Sequence, residues 1–290
     1  MPELPEVEIY AELLDAALRG EVVESTLAPG VNALKTFDPP LHALDGATIT
    51  GVRRRGKLLL VDADSTSHGK LSLVVHLMNA GRLQLFDRRA SLRDKTSRVL
   101  LRLPGDRELR LREFGTKQAA WARLLDLDGL AADETLGALG QEAWPDPPAP
   151  GRLRELLAAA GARPLHSVLR DQHVLTGIGR TWVDEILQAA KLSPFQRGDG
   201  LSEQEAKALR EAIVAELGRG VEHYRATLSV PLPDKVAKPA RVHAHQGEPC
   251  PGCETILEAV FFEDYVMTYC PHCQTGGRIL KDRRLSRLLK

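Results

Sequence analysis

The sequence has few cysteines, no excess of either charge and no long apolar segment. Only four of its 290 residues are cysteine, and all four lie between Cys250 and Cys273. This clustering favours a local metal site in a reducing compartment over a disulfide framework. Basic and acidic residues number 39 each. Net charge therefore gives no reason to expect a polyanionic partner, and only local clustering of charge can indicate one.

Segments for membrane insertion or export are also missing from the sequence. No apolar stretch approaches the roughly 18 residues that a membrane span requires. The start, Met-Pro-Glu-Leu-Pro-Glu, lacks the basic and apolar parts of a secretory signal. We therefore expect a cytoplasmic protein with no membrane partner. The length excludes a single small fold, because domains usually contain about 100 to 200 residues.

The order of apolar patterns predicts a multidomain α+β protein. An extended start at residues 2–5 precedes a predicted helix over residues 7–19. Short apolar runs then continue to about residue 124, which predicts an antiparallel β-sandwich or barrel. Short strands are expected again around the cysteines. Helical periods lie between these two regions, over residues 152–160, 164–171, 180–190 and 202–218.

A proline-rich segment, Trp144-Pro-Asp-Pro-Pro-Ala-Pro-Gly151, marks the main predicted boundary. Proline removes backbone donors and fixes φ, so neither a helix nor a central strand is expected there. The predicted division is an N-terminal β-sandwich domain over 1–135, a linker over 136–151, a helical domain over 152–228 and a cysteine-containing domain over 241–290.

The two pairs Cys250-Pro-Gly-Cys253 and Cys270-Pro-His-Cys273 have the spacing of a structural zinc site. Four thiolates so spaced can surround one tetrahedral Zn²⁺ and leave no coordination position open, so the metal would be structural. A ribbon of about 50 residues has too little core to fold alone, and zinc would supply its folding free energy. Two redox-active cysteine pairs, or cysteines that are simply unbonded core residues, are the alternative.

The segment after the last cysteine is locally basic. Residues 276–290 contain six basic residues, including Arg278, and one acidic residue. Beside a zinc ribbon such a run favours contacts to a phosphate backbone, although a solvated surface would have the same composition. His243 and His245 could suggest a second metal site. Because four cysteines already complete the zinc shell, we expect these histidines to be polar strand residues.

A proline follows Met1, and methionine is commonly removed before so small a residue. The freed secondary amine would have a pKa of about 7.7 to 8.0, against about 10.4 for lysine, so more of it is neutral and nucleophilic near pH 7. Such an amine can form an iminium. Glu3 and Glu6 could transfer protons beside it, or could simply complement the positive end of the first helix.

The string Met-Pro-Glu-Leu-Pro-Glu-Val-Glu resembles the start of the formamidopyrimidine-DNA glycosylase and endonuclease VIII family. The resemblance implies a β-sandwich with a leading helix, a helix, two-turn, helix DNA-binding domain and a C-terminal zinc ribbon. It also implies a bacterial, nucleoid-associated enzyme that excises oxidised or ring-opened bases from duplex DNA through a Schiff base and nicks the strand by β- or β,δ-elimination. Further matching motifs are Arg55-Gly-Lys57, His76-Leu77, Arg112-Glu-Phe-Gly115, Asp171-Gln172, Thr176-Gly-Ile-Gly179, Gly247-Glu-Pro-Cys250 and Tyr269-Cys-Pro-His-Cys-Gln-Thr275.

This resemblance implies roles for the matching residues. Pro2 would be the nucleophile, Glu3 the acid that assists base departure and Glu6 a supporting carboxylate. Lys57 would contact a phosphate beside the lesion. The glycine hairpin of Gly177 and Gly179 would grip the backbone through its amides, where no side chain fits. The implied partner is damaged double-stranded DNA, bound by a monomer with one structural Zn²⁺ and no nucleotide cofactor.

The family also flips the damaged nucleotide out of the duplex and fills the gap with side chains. Arg112 and Phe114 match two of the filling positions, and an ordinary strand residue with a core aromatic is the alternative interpretation. The third position falls on Asn79, with Met78 as its neighbour, so the side chain that fills the void stays open.

Two positions depart from the family pattern. Arg180 stands where the family has an asparagine after the glycine hairpin, and an arginine could still reach a phosphate. Tyr265 stands where the zinc hairpin often carries an arginine, and tyrosine lacks the charge. The connection over residues 225–240 is shorter than the loop that closes over 8-oxoguanine. Both 8-oxoguanine and oxidised pyrimidines therefore remain candidate lesions.

Two other functions are compatible with parts of the sequence. A non-catalytic protein that binds damaged DNA could use the same scaffold, but the presence of Pro2, Glu3 and Lys57 favours the enzyme. A zinc-ribbon regulator of transcription would leave the N-terminal string unexplained.

Overall fold

The computed structural model describes residues 1–91, 94–115, 117–262 and 265–280. The chain divides into two compact units. One is Met1–Ala138 with His223–Val236, and the other is Leu139–Glu222 with Ala237–Lys290. Within the described ranges, none of the helices combines the length and apolar character needed to cross a membrane.

The first unit is a sandwich of two antiparallel four-stranded sheets behind a leading helix. Its longer elements are α1 (Leu4–Leu18), β1 (Ser25–Leu27), β2 (Thr48–Arg55), β3 (Leu58–Ser65), β4 (Gly69–His76), β5 (Gly81–Phe86), β6 (Ser97–Arg102), β7 (Glu108–Glu113) and β8 (Trp121–Asp126), followed by the short helices α2 (Leu127–Ala132) and α3 (Glu134–Gly137). One sheet has the order β2-β3-β4-β8 and the other β1-β6-β7-β5. The predicted sandwich with a leading helix is confirmed.

Alternate residues of facing strands share one hydrophobic core. The period of two places the same face of each strand inward, as expected for strands with one buried face. Helix α1 contributes its own apolar stripe to this core. Members of the core include Leu14 and Leu18 from α1, Leu59 and Val61 from β3, Leu73 and Val75 from β4, and Leu109 and Leu111 from β7.

Helix α1 begins at Leu4, three residues before the predicted start. The expectation of an extended segment through Pro5 was wrong, because proline fits the first helical turn, where its missing N–H has no partner to lose. Glu3 is the N-cap residue, and Glu6 completes a capping box with it. The two prolines therefore frame the start of the helix.

The second unit contains the helices and the cysteines. Its elements are β9 (Gln141–Glu142), α4 (Pro150–Ala159), α5 (Leu165–Val168), β10 (Leu175–Thr176), α6 (Arg180–Ala189), α7 (Glu203–Thr227), β11 (Glu258–Phe261), β12 (Val266–Tyr269) and α8 (Pro271–Thr275). The predicted helical domain and the hairpin beside the cysteines are confirmed. The last turn and a half of α7, from His223, groups with the first unit.

Helix α7 is longer than predicted. Its capping pattern is confirmed, since the Ser202 N–H donates to Glu205 Oε2 at 2.8 Å. The predicted end at Gly218 was wrong, and the helix continues to Thr227. Leu217, Val221 and Tyr224 are all fully buried on its far half. Their packing outweighs the cost of about 1 kcal/mol that glycine brings to a helix interior.

The proline-rich segment belongs by its contacts to the second unit, which begins at Leu139. Strand β9 pairs in parallel with β10, and α4 starts at Pro150. The four-part division of the chain stays a prediction. His243 lies in a turn and His245 in an irregular segment, so the expectation of strand residues was wrong. Ala244 between them has φ +64°, which interrupts an extended strand.

Glu185 joins helix α6 to the segment that leads into the cysteines. Its side chain is fully buried and forms an ion pair with Arg219 at 3.3 Å. The backbone N–H groups of Arg241, Val242 and His243 donate to Glu185 Oε1 at 3.1, 2.9 and 2.9 Å. One buried carboxylate therefore satisfies three consecutive backbone donors.

We expect Glu185→Ala to lower the free energy of unfolding by about 3 to 5 kcal/mol, because it strands three N–H groups and a partly buried cation. Urea unfolding followed by the fluorescence of Trp182, which is buried on the same helix, measures the change. Glu211→Ala, an exposed position on α7, is the matched control and should change stability by less than about 0.5 kcal/mol. Equal stability of the two variants would contradict the role given to Glu185.

Candidate active site and metal centre

Two carboxylates are buried at the amino end of α1, directly after Pro2. Glu3 is 2% exposed and Glu6 is 3% exposed. Glu6 Oε2 accepts a hydrogen bond from the Glu3 N–H at 3.0 Å. The amino end of a helix favours negative charge, so this position partly offsets the cost of burying the carboxylates. Glu6 therefore caps the helix, and its hydrogen bond orients the backbone that carries Pro2 and Glu3.

Two buried tyrosines share this compartment and were missed by the sequence analysis. Tyr10 is 2% exposed and Tyr224 is fully buried. Burial, followed by the charge of Glu6, raises the pKa of Tyr10. Burial, followed by Glu6 and Glu3, raises the pKa of Tyr224. Both phenols stay protonated at neutral pH and can act only as neutral hydrogen-bonding groups near the carboxylates.

An ion pair holds Tyr224 near α1. Arg225 Nη2 lies 2.6 Å from Glu12 Oε1 on that helix. The spacing of Glu6 and Tyr10 on one face of α1 could have identified Tyr10 from the sequence. Tyr224 lies at the far end of α7, and no local pattern connects it with the first turn of α1.

Lys57 lies in the two-residue turn between β2 and β3. The turn follows from Gly56, whose φ is +58°. Lys57 is 8% exposed. Arg54 on the same hairpin donates from Nε to Glu8 Oε2 at 2.6 Å. The hairpin that carries Lys57 is thus tied to the helix that follows Pro2.

His76 lies at the end of β4, opposite Leu58 in the sheet register. Burial, followed by the positive charge of Lys57, lowers the pKa of His76 to about 4. Its ring stacks on Trp121 with centroids 5.6 Å apart. Its Nδ1 accepts a hydrogen bond from the Met78 N–H at 3.0 Å. The imidazole is therefore neutral at pH 7 and adds no second cation beside Lys57.

Arg112 lies on β7, and its guanidinium is held from several sides. Its side chain is 18% exposed and its Nη1 lies 3.0 Å from Asp234 Oδ1. Phe114 is half-buried and its ring centroid lies 4.7 Å from the Arg112 guanidinium carbon. Arg112 also donates to Thr96 Oγ1 and to Gln84 Oε1, each at 3.0 Å.

The third filling position was left open between Met78 and Asn79. Met78 has φ +48° and is half-buried, whereas Asn79 is exposed.

The glycine hairpin precedes α6. Gly177 has φ +107°, a conformation that L side chains rarely adopt. Its N–H donates to Gln172 Oε1 at 2.9 Å, and Gln172 Nε2 donates to the Ile178 carbonyl at 2.9 Å. Gln172 therefore shapes the hairpin from inside. Gly179 is the N-cap residue of α6, and Arg180 is its exposed first residue.

The four cysteines form one cluster, and their sulfur atoms all lie within 4.8 Å of one another. A tetrahedral zinc site with Zn–S bonds of about 2.3 Å needs sulfurs about 3.8 Å apart. Cys253 Sγ lies 3.5 Å from Cys270 Sγ and 3.3 Å from Cys273 Sγ. The cluster can therefore hold one metal ion. Among the described residues, His243 and His245 belong to no group of three or more possible metal ligands.

Hydrogen bonds from the surrounding chain point at the sulfurs. Gln188 Nε2, from α6, donates to Cys250 Sγ at 3.3 Å. Hydrogen bonds with Thr255 lower the pKa of Cys253 to about 6. Burial and the neighbouring thiols raise the pKa of Cys273. Four thiols packed this closely cannot all ionise together without a cation, and a divalent metal removes that conflict.

The basic tail is described only in part. Arg278 is exposed, and Thr275 Oγ1 donates to its carbonyl at 2.6 Å. The remaining basic residues of the predicted tail, at 281–290, lie outside the described residues.

Comparison with known proteins agrees with this arrangement. The model of the formamidopyrimidine-DNA glycosylase N-terminal domain matches residues 1–116, and that of the family's H2TH domain matches residues 139–231. The formamidopyrimidine-DNA glycosylase of Moorella thermoacetica is 35% identical over 90% of this chain and 94% of its own. That of Carboxydothermus hydrogenoformans is 31% identical over 94% and 100%. The chain belongs to the formamidopyrimidine-DNA glycosylase family.

A solved structure shares the fold of this formamidopyrimidine-DNA glycosylase family member. The Lactococcus lactis family protein, bound to DNA containing N7-benzyl-Fapy-dG, aligns with a TM-score of 0.81. The match is 24% identical and covers 94% of this chain and 100% of the other. The resemblance inferred from the motifs is therefore confirmed.

The depressed pKa of His76 predicts a pH-dependent stability. The unfolded imidazole takes up a proton near pH 6.5, whereas the folded one does so only near pH 4. Neutral His76 therefore contributes up to about 3 kcal/mol to the free energy of unfolding above pH 6.5. This contribution is lost as the pH falls towards 4. We expect the unfolding free energy of His76→Gln, measured with denaturant, to depend much less on pH in this range than that of the wild type. His68→Gln, at an exposed position, should keep it, and parallel pH profiles of both variants would refute the assignment.

Proposed function

We propose that this protein is a base-excision repair enzyme that removes oxidised or ring-opened bases from duplex DNA and then cuts the abasic strand. Membership of the family supports the glycosylase activity. The observation that carries the chemistry is the position of Pro2, directly before a helix whose first turn buries Glu3 and Glu6. Its place of action would be the chromosome in the bacterial cytoplasm.

The reaction starts from the Pro2 amine, once Met1 is removed. The nitrogen attacks C1′ of the damaged nucleotide, and the bond from C1′ to the base breaks. Glu3 supplies the proton with which the base departs. The amine then loses its proton, and opening of the sugar ring places the electron pair on O4′ and leaves an iminium between Pro2 and C1′. Loss of a proton from C2′ expels the 3′ phosphate by β-elimination.

The buried surroundings of Glu3 favour this chemistry. Glu3 is almost completely buried and directly follows Pro2, so its carboxyl group would lie close to the bond that breaks. Glu6 is committed to the Glu3 backbone and acts by positioning. Tyr10 and Tyr224 exclude water from the compartment without adding charge, since burial and the carboxylates raise the pKa of each phenol.

The remaining site residues would bind DNA. Lys57 would meet a phosphate beside the flipped nucleotide, and Arg112 with Phe114 would enter the gap. On binding, Arg112 would leave its ion pair with Asp234 and contact the duplex. That ion pair is partly exposed, so breaking it costs little. The hairpin of Gly177 and Gly179, with Arg180 and Arg278, would contact the backbone. Phosphate contacts of this kind make affinity fall steeply with salt.

A structural Zn²⁺ fits the four cysteines. Cys250, Cys253, Cys270 and Cys273 would hold it, and its charge would allow all four thiols to ionise. With four sulfur ligands the ion takes no part in the reaction, and the β11–β12 hairpin is the element it stabilises. A protein that only binds damaged DNA would have no use for buried carboxylates beside Pro2, so we favour the enzyme.

Borohydride trapping on duplex DNA with an abasic site tests the Pro2 amine. We expect wild-type protein to form a covalent adduct that mass spectrometry maps to Pro2, and Pro2→Gly to lose at least about 90% of it, because glycine supplies a primary and less preorganised amine. Protein with a short N-terminal extension is the matched control, since its Pro2 nitrogen is blocked while the side chains are unchanged. An adduct that persists in the extended protein would exclude Pro2 as the nucleophile.

Removal of zinc tests the metal centre. We expect one zinc ion per chain by elemental analysis, and chelation should make the segment around the cysteines protease-sensitive, because its folding free energy comes from the metal. Duplex affinity should fall by about tenfold or more, and added zinc should restore it. Chelated protein that keeps both its protease resistance and its affinity would contradict a zinc-dependent fold.

A further inference from the structure

A segment after α7 is fastened to strand β5, which lies at one edge of its sheet. This segment, residues 228–236, is called the strap and groups with the first unit. Its Leu232 is 3% exposed and belongs to the sandwich core. Further apolar residues of the strap pack against the same core, namely Leu228, Val230 and Val236. The strap is therefore held in place independently of its charged residue, Asp234.

Three side chains of β5 and β7 hold the polar groups of the strap. Arg82 Nε donates to the Asp234 carbonyl at 2.7 Å. Gln84 Nε2 donates to the Leu232 carbonyl and, at 3.0 Å, to Asp234 Oδ1. Arg112 Nη1 donates to the same carboxylate oxygen at 3.0 Å. Asp234 therefore accepts a hydrogen bond from each of the three side chains.

These contacts commit the guanidinium group of Arg112. Its Nε donates to Thr96 Oγ1, and its Nη1 is shared between Gln84 Oε1 and Asp234 Oδ1. The Phe114 ring lies beside the same group. Carboxylate and phosphate oxygens are alternative partners for a guanidinium group. A nucleic acid that is to bind Arg112 must therefore compete with a carboxylate of the protein itself.

Asp234 also offsets a repulsion within the sheet. Arg82 and Arg112 lie directly opposite each other on β5 and β7. Like charges in such a cross-strand pair repel each other. The carboxylate reduces this repulsion in the free protein, and its departure would leave two adjacent cations for a polyanion.

The strap lies near the compartment of the two buried glutamates. The charge of Arg82 acts on Tyr10, where it opposes the rise in pKa that burial and Glu6 cause. The same guanidinium group holds the backbone of the strap at Asp234. The contact between Asp234 and Arg112 is thus close to the proposed site of reaction.

We propose that Asp234 is a latch that holds Arg112 away from DNA until a gap in the duplex offers the guanidinium group a better site. The proposal rests on the proposed function in DNA repair. The side chain of Asp234 is 53% exposed and that of Arg112 is 18% exposed, so the ion pair is weak enough to exchange. Only these two side chains need to move, because Leu232 and Arg82 keep the backbone of the strap in place.

Binding to two duplexes tests the latch. Fluorescence anisotropy measures the affinity of zinc-loaded protein for a duplex with an abasic-site analogue and for the same duplex without damage. We expect Asp234→Asn to bind the abasic-site duplex about three- to fivefold more tightly than the wild type, because a partly exposed ion pair no longer has to be broken. The gain on the undamaged duplex should be smaller, since that duplex offers Arg112 no gap. A purely structural role of Asp234 would lower the affinity instead.

Two comparisons separate the latch from the mere loss of a negative charge. Asp106 forms an exposed ion pair with Arg89 in the same unit, so Asp106→Asn is the matched control and should bind both duplexes like the wild type. In an Arg112→Gln background, Asp234→Asn should change the affinity little, because no cation is left to be held. Melting temperatures show whether each variant folds, and Asp234→Ser, which removes the same charge, replaces Asp234→Asn if that variant does not.

Two results would count against the proposal in different ways. If wild-type protein binds the abasic-site duplex but Asp234→Asn binds it no more tightly, or gains as much in the Arg112→Gln background, the latch is wrong and the repair function stands. If wild-type, zinc-loaded protein has no affinity for either duplex at low salt, the proposed function itself fails.

Discussion

The burial of two carboxylates at the amino end of one helix is the constraint on which the N-terminal unit depends. Glu3 and Glu6 are almost completely removed from solvent, and the helix end and the hydrogen bonds of the capping box offset part of the cost. That end must therefore be held firmly. Leu14 and Leu18 fix the rest of α1 in the sandwich core, and the Arg54–Glu8 ion pair ties it to the hairpin that carries Lys57.

Helix α6 has the corresponding role in the second unit. It begins at the exposed Arg180 and then buries three polar side chains that reach towards the cysteine-containing segment. Asp184 contacts His243 and the Thr268 N–H, Glu185 satisfies the segment that starts at Arg241, and Gln188 donates to Cys250. A metal bound at the cysteines would therefore also stabilise helix α6.

Local arrangement of charge matters more in this protein than its net charge of zero. Most described arginines form ion pairs, and several lie over aromatic rings. Arg112 lies beside Phe114, and Arg170 and Arg180 lie beside Tyr265. An aromatic face orients a guanidinium group without neutralising its charge.

The sequence by itself determined the fold class, the family and the cysteine cluster, because these follow from local periodicity and fixed spacing. It also placed Glu3 and Glu6 next to Pro2, since neighbours in a first helical turn are neighbours in space. Only the tertiary structure decided the contacts between distant segments. Tyr224 joins the compartment of Glu6 because α7 continues past Gly218, where burial of its apolar face outweighs the glycine penalty.

The two departures from the family pattern show the same limit. In the sequence alone, Arg180 was only the replacement of a family asparagine and Tyr265 only the replacement of a family arginine. Their proximity depends on how β12 packs beside α5 and α6, which no short-range pattern encodes. Periodicity and spacing determined which elements form and which residues are chemically competent. The packing of side chains between elements decided which of those residues act together, because burial and charge interact through space and not along the chain.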